Sequence, residues 1–179
     1  LAEPAMLLVV FTLALFAGTT RLSGIAEFIL THPVGLRVSL ALTLVALIMV
    51  ALAENGRVPI DNPTTHLELT MVHEAMVLEY SGRHLAMIEL AAALKLQLYI
   101  SLILCLFAPW GLAREGGGLL AYAIGVGAYI AKLGVAGLLL ALFETTIAKM
   151  RVFRVPDFLG AALMLGLLGA LLLFVSRSL

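Results

Sequence analysis

Residues 119–143 read LLAYAIGVGAYIAKLGVAGLLLALF, a run interrupted by one charge, Lys132. A helix rises about 1.5 Å per residue, so roughly 20 apolar residues cross a hydrocarbon core about 30 Å thick. This run is long enough. It lacks the alternation a barrel strand needs, and a backbone surrounded by lipid must then satisfy its polar groups within a helix. Similar stretches recur at 4–20, 38–53, 85–110 and 158–175. Together they predict an all-α, polytopic transmembrane helical bundle with five spans, one membrane domain over 1–179. The span at 38–53 is short unless it takes in 33–37, with Arg37 snorkelling to the interface.

Composition agrees with this reading. The 179 residues are 63% hydrophobic and 12% charged, against about 45–50% and 25% in a soluble domain. Mean hydropathy is +1.12. Eleven basic and eleven acidic residues cancel, which leaves no basic excess to favour nucleic acid or an anionic surface. Electrostatic function must therefore come from where the charges stand. The single cysteine, Cys105, excludes an internal disulfide and a thiolate metal cluster. The chain opens on Leu1 with neither an initiator Met nor a basic signal region, so it is expected to be the C-terminal part of a longer subunit. Ala162, Gly166 and Ala170 are spaced to let the last span approach a neighbour closely, or they reflect ordinary glycine frequency in membrane helices. Gly116 to Gly118 make a flexible turn.

Five crossings place the loops 54–84 and 144–157 on one side. They carry five basic residues, Arg57, Arg83, Lys149, Arg151 and Arg154, against Arg21, Arg37, Arg114 and Arg177 on the other. The positive-inside rule makes the first side cytoplasmic by a narrow margin.

The acidic residues are clustered. Glu54, Asp61, Glu68, Glu74, Glu79 and Glu89 are six of the eleven carboxylates. Asn55-Gly56, Pro59 and Asn62-Pro63 punctuate an irregular entry; Thr65 with Glu68 forms a capping-box pattern that starts a helix, and Gly82 supplies its stop. On a helical wheel Glu68 and Glu79 share one face, Glu74 falls beside Leu67 and Leu78, and His66, His73 and Tyr80 share a third. Acidic and apolar residues on every face suit a helix enclosed by protein or lining an aqueous cavity. There, desolvation and mutual repulsion raise carboxyl pKa values toward neutrality. A solvated acidic loop balanced by Arg57 and Arg83 is the alternative. No metal site is expected: H-E-x-x-H is absent after His73-Glu74, and His66 and His73 would stand about 10.5 Å apart along a helix.

Glu89, Lys95 and Lys132 fall within predicted spans, where an ionised group costs at least about 2.5–3.5 kcal/mol unless it meets a partner or water. Glu89 and Lys95 project about 240° apart and cannot pair on one face, so their partners belong to other helices. With Glu144, these lysines form either a protonatable path toward the bilayer centre or a structural tie that fixes helix register. Glu3 and Glu27 lie near span ends and snorkel.

Glu54-x-x-Arg57-x-Pro59-x-Asp61-x-Pro63, followed by Glu79-Tyr80-Ser81-Gly82, resembles the signature of the membrane subunit that anchors the peripheral arm of respiratory complex I and its hydrogenase relatives. Thr65-His66-Leu67-Glu68-Leu69-Thr70-Met71, His73-Glu74-Ala75-Met76, and Glu144 with the run Ala148 to Asp157 resemble the group 4 [NiFe] hydrogenase branch, including formate hydrogenlyase and hydrogenase-4. The family typically has eight spans, so the chain would correspond to the last five. The resemblance implies a subunit of the prokaryotic cytoplasmic membrane that binds no cofactor and has no catalytic residue of its own. Iron–sulfur clusters and a nickel–iron centre would sit in partners: hydrogenase large and small subunits, iron–sulfur proteins and antiporter-like membrane subunits. Proton transfer would fall to Glu54, Asp61, Glu68, Glu74, Glu79, Glu89, Lys95, Lys132 and Glu144. Charge pairing or docking would fall to Arg57, Arg83, Lys149, Arg151 and Arg154, with Arg57 the counter-ion of the acidic loop. A quinone-linked dehydrogenase subunit and a stand-alone ion transporter are the rival readings; the histidine-containing segments depart from the quinone-reducing pattern.

Overall fold

The computed structural model describes residues 2–31, 38–58, 60–61, 77, 79–111, 118–146, 150–151 and 155–178. Six helices carry the architecture: α1 (Ala2–Ala17), α2 (Leu22–Thr31), α3 (Val38–Glu54), α4 (Arg83–Phe107), α5 (Leu119–Thr146) and α6 (Val155–Ser178). Two short strands, β1 (Ile60–Asp61) and β2 (Met150–Arg151), pair in parallel. The all-helical bundle is as expected, but the number of spans is smaller. Three helices, α4, α5 and the Pro156–Val175 part of α6, are long and apolar enough to cross a membrane, four if the bent α1–α2 pair counts as one. At 17 residues, α3 rises about 26 Å and falls short; the expected extension over 33–37 lies outside the described residues.

The expected first span at 4–20 ends early because the chain turns 55° between α1 and α2. Gly18 has φ +68, and the Thr19 amide donates back to the Ala14 carbonyl at 3.2 Å. A left-handed glycine with a six-to-one hydrogen bond is a standard way to close a helix. The bend is held by Phe16 against Phe28, edge to face with centroids 5.2 Å apart.

The tight packing lies among α1, α3 and α6. Val9 and Leu13 of α1, Ile25 of α2, Ala46 and Leu47 of α3 and Leu106 of α4 form one buried cluster. Ala2, Ala5, Val50 and Ala162 form another. The small residues of α6 let the backbones approach closely. A Cβ on Gly166 would stand 2.9 Å from Leu8 Cδ2, and one on Gly169 would stand 2.7 Å from Thr43 Cγ2 and 3.0 Å from the Ser39 carbonyl. The seam is thus Ala162, Gly166, Gly169 and Leu173, all buried, at helical spacing; the expected Ala170 is only half-buried. Inside it, buried Thr12 and Thr43 return their hydroxyls to the carbonyls of Leu8 and Leu40 at 2.7 and 2.9 Å, which satisfies both groups within their own helices.

By contrast, α5 contributes no buried residue, and α4 contributes only Leu106. The helix expected from Thr65 lies outside the described residues. Gly82, expected to stop it, stands immediately before α4 with φ +59, and its carbonyl accepts from the Ala86 amide at 3.1 Å.

Candidate functional site: the charged end of the bundle

The carboxyl end of α3 organises the site. Its last carbonyls would be orphaned, and each finds a donor. The Arg57 amide reaches the Leu52 carbonyl at 2.9 Å and the Gly56 amide reaches Ala53 at 3.1 Å, with Gly56 at φ +62; this is a Schellman closure. Asn55 adds its side-chain amide to the Ala51 carbonyl at 2.7 Å. The remaining carbonyl, that of Glu54, accepts from Lys95 Nζ of α4 at 2.8 Å, and the Glu54 carboxylate accepts from the same ammonium at 2.9 Å. Lys95 therefore caps α3 and neutralises its terminal acid together, with the helix dipole favouring the cation there.

A second pair crosses to α5. Arg57 Nη1 lies 3.4 Å from Glu144 Oε1. Beyond it, β1 and β2 align Ile60 with Met150 and Asp61 with Arg151. The described segments just after α3 and after α5 therefore meet at Ile60–Asp61 and Met150–Arg151. In sequence Arg57 is the obvious counter-ion of Glu54. It pairs with Glu144 instead, because the Schellman turn carries Arg57 past the helix end while Lys95 arrives from the neighbouring helix.

The remaining candidates separate. Glu79, Arg83 and Glu89 are exposed and make no ion pair among the described residues. Glu68, Glu74, Lys149 and Arg154, like His66 and His73, lie outside those residues; for Asp61 and Arg151 only the backbone is described. Lys132 stands apart from the charged end. Its ammonium donates to the Ala108 carbonyl at 2.7 Å and to the Trp110 carbonyl, and sits 5.1 Å from the Trp110 ring centroid. It caps the carboxyl end of α4 much as Lys95 caps α3. Between Lys132 and Glu144 the inward side of α5 is hydrocarbon: Ala136, Leu139, Leu140 and Phe143.

Sequence reasoning passed over the polar seam between α4 and α5. Ser101 Oγ lies 2.6 Å from Tyr129 Oη, and with Cys105 and Lys132 they line a cavity of about 220 Å³. The signal was available, since Ser101 and Cys105 of α4 with Ala108 just past its end, and Gly125, Tyr129 and Lys132 on α5, both follow the i, i+4, i+7 spacing of a single helix face. No three His, Cys, Asp or Glu side chains converge on a metal position among the described residues, and the one thiol, Cys105, cannot ligate a cluster by itself.

Comparison with known proteins assigns the family. The chain matches the model of the NADH dehydrogenase family over residues 1–175. It is 32% identical to formate hydrogenlyase subunit 4 of Escherichia coli K12 over 87% of this chain and 50% of that protein. It is 35% identical to hydrogenase-4 component C of the same organism over 64% of this chain and 35% of that protein. No solved structure matches. The chain thus spans half the length, or less, of these curated relatives. It belongs to the NADH dehydrogenase family, the complex I subunit 1 family, and its curated relatives are hydrogenase components.

Proposed function

We propose that this family member is a membrane subunit of a membrane-bound hydrogenase of the formate hydrogenlyase type, seated in the prokaryotic cytoplasmic membrane. It anchors the hydrophilic electron-transfer arm at the end where the 54–84 and 144–157 loops meet, and it relays protons there. The observation that carries this reading is the similarity to formate hydrogenlyase subunit 4 over 87% of the chain. The bridging pairs Glu54–Lys95 and Arg57–Glu144 support it, since they concentrate exchangeable charge at that end. Iron–sulfur clusters and the nickel–iron centre belong to the partner subunits, where electrons combine with protons to give hydrogen. The part of this chain is to respond: a charge change in an adjoining cluster alters carboxylate protonation in the loops, and a two-state coupling of this kind needs only a differential interaction with the two states.

The test uses the assembled complex. Affinity purification through this subunit followed by mass spectrometry is expected to recover a nickel–iron large subunit; recovery of an NADH-oxidising arm instead overturns the branch. In the intact complex, Glu144→Gln and Glu79→Gln are expected to lower proton movement per hydrogen evolved. Unchanged proton movement and hydrogen turnover in both variants overturn the relay.

A further inference from the structure

Between α3, α4 and α5 lies a slot of about 480 Å³. Its walls include Ile48 and Leu52 of α3, Ile103 and Phe107 of α4, and Leu140 and Phe143 of α5, and apart from Tyr99 and Trp110 every lining side chain is hydrocarbon. From Leu96 to Phe107 the α4 wall rises about 17 Å, close to half of a hydrocarbon core about 30 Å thick. At one end stand Trp110 and Ala108, tied to Lys132. At the other end the lining residues Leu52 and Phe143 touch the charged site: the Leu52 carbonyl accepts the Arg57 amide, and Phe143 precedes Glu144. That end carries two cation–carboxylate pairs, Lys95 with Glu54 at 2.9 Å and, nearest the mouth, Arg57 with Glu144 at 3.4 Å, the latter with side chains 46% and 34% exposed.

We infer that the slot holds one acyl chain of a zwitterionic phospholipid from the surrounding leaflet. Its phosphate lies against Arg57 and its ammonium against Glu144. The dimensions suit a chain reaching the bilayer midplane, and the walls offer it no polar group to desolvate. The headgroup assignment follows from charge complementarity. Each cation at this end is matched by a carboxylate, which leaves no surplus positive charge for an anionic lipid, whereas the Arg57–Glu144 pair of opposite charges matches a phosphate and an amine on one headgroup. Guanidinium and phosphate form forked, charge-assisted hydrogen bonds, and trading Glu144 for them keeps both side chains paired. A neutral isoprenoid would leave that mouth unused.

The complex containing the full chain, purified in mild detergent, tests this by native mass spectrometry with lipid extraction. One phosphatidylethanolamine is expected to stay with each copy after others are washed away. Filling the slot with Ile48→Trp and Leu140→Trp removes it. Arg57→Gln, which leaves the slot open, weakens retention about tenfold, the loss expected from one charge-assisted hydrogen bond. Retention unchanged by either substitution overturns the proposal, as does an image of the complex showing a quinone or a partner's helix in the slot. Preferential retention of an anionic lipid overturns the headgroup assignment. None of these outcomes depends on proton movement, so the lipid and the relay succeed or fail separately.

Discussion

The triad α1, α3 and α6 and the pair α4 and α5 are all built of apolar helices but pack in different ways. In the triad, Gly166 and Gly169 bring backbones together, and buried hydroxyls return to their own helices. In the pair, no residue of α5 is fully buried, and polar contacts tie it to its neighbours: Lys132 on the end of α4, Tyr129 against Ser101, and Glu144 against Arg57. Dispersion fixes the first region. Directional bonds tie the second.

This contrast can be broken most forcefully at the glycines. Gly169→Leu forces a side chain into Thr43 and the Ser39 carbonyl, and is expected to cost about 3 kcal/mol or to prevent folding. Thermal unfolding of the solubilised full-length protein measures it. A Cβ at Gly134 on α5 meets nothing within 4 Å, and Gly134→Leu is expected to change stability by less than about 0.5 kcal/mol. If it is silent in the isolated protein and damaging in the complex, a partner lies against that face.

Next come the caps. Lys95→Met leaves the Glu54 carbonyl and carboxylate without their donor, and, because the pair is partly exposed, is expected to cost about 1 kcal/mol. Faster hydrogen exchange confined to the last turn of α3 is its signature. Lys132→Met removes donors from the Ala108 and Trp110 carbonyls, and is expected to cost about 1 kcal/mol, read the same way at the end of α4. Equal effects across the whole bundle in either variant would erase the distinction between the two regions.

Much of this fold is legible in hydropathy because lipid tolerates few alternatives to a long apolar helix. The ends of α4 and α5 fall within a few residues of the expected spans, and Asn55-Gly56 marks the closure of α3. The bend at Gly18 was legible only locally, since apolar residues continue on both sides of it and hide a break from any window average. The site is harder. Nearness along the chain favours Arg57 for Glu54, but the partner is Lys95, because a helix end selects whatever donor a neighbouring helix delivers at its height. Lys132 reads as an intramembrane charge in want of an acid; two carbonyls and an indole satisfy it, and carbonyl positions have no side-chain signature. Gly169 was overlooked because strict four-residue spacing picks Ala170, whereas the 3.6-residue turn shifts the seam by one.

The two-residue ladder between β1 and β2 is slight, yet it fastens together stretches of chain about ninety positions apart. A clasp so short cannot stretch far before it opens. Whatever grips one of its straps must therefore drag the other along or unbuckle it, and a subunit seated on that end takes hold of two helices through a single handle.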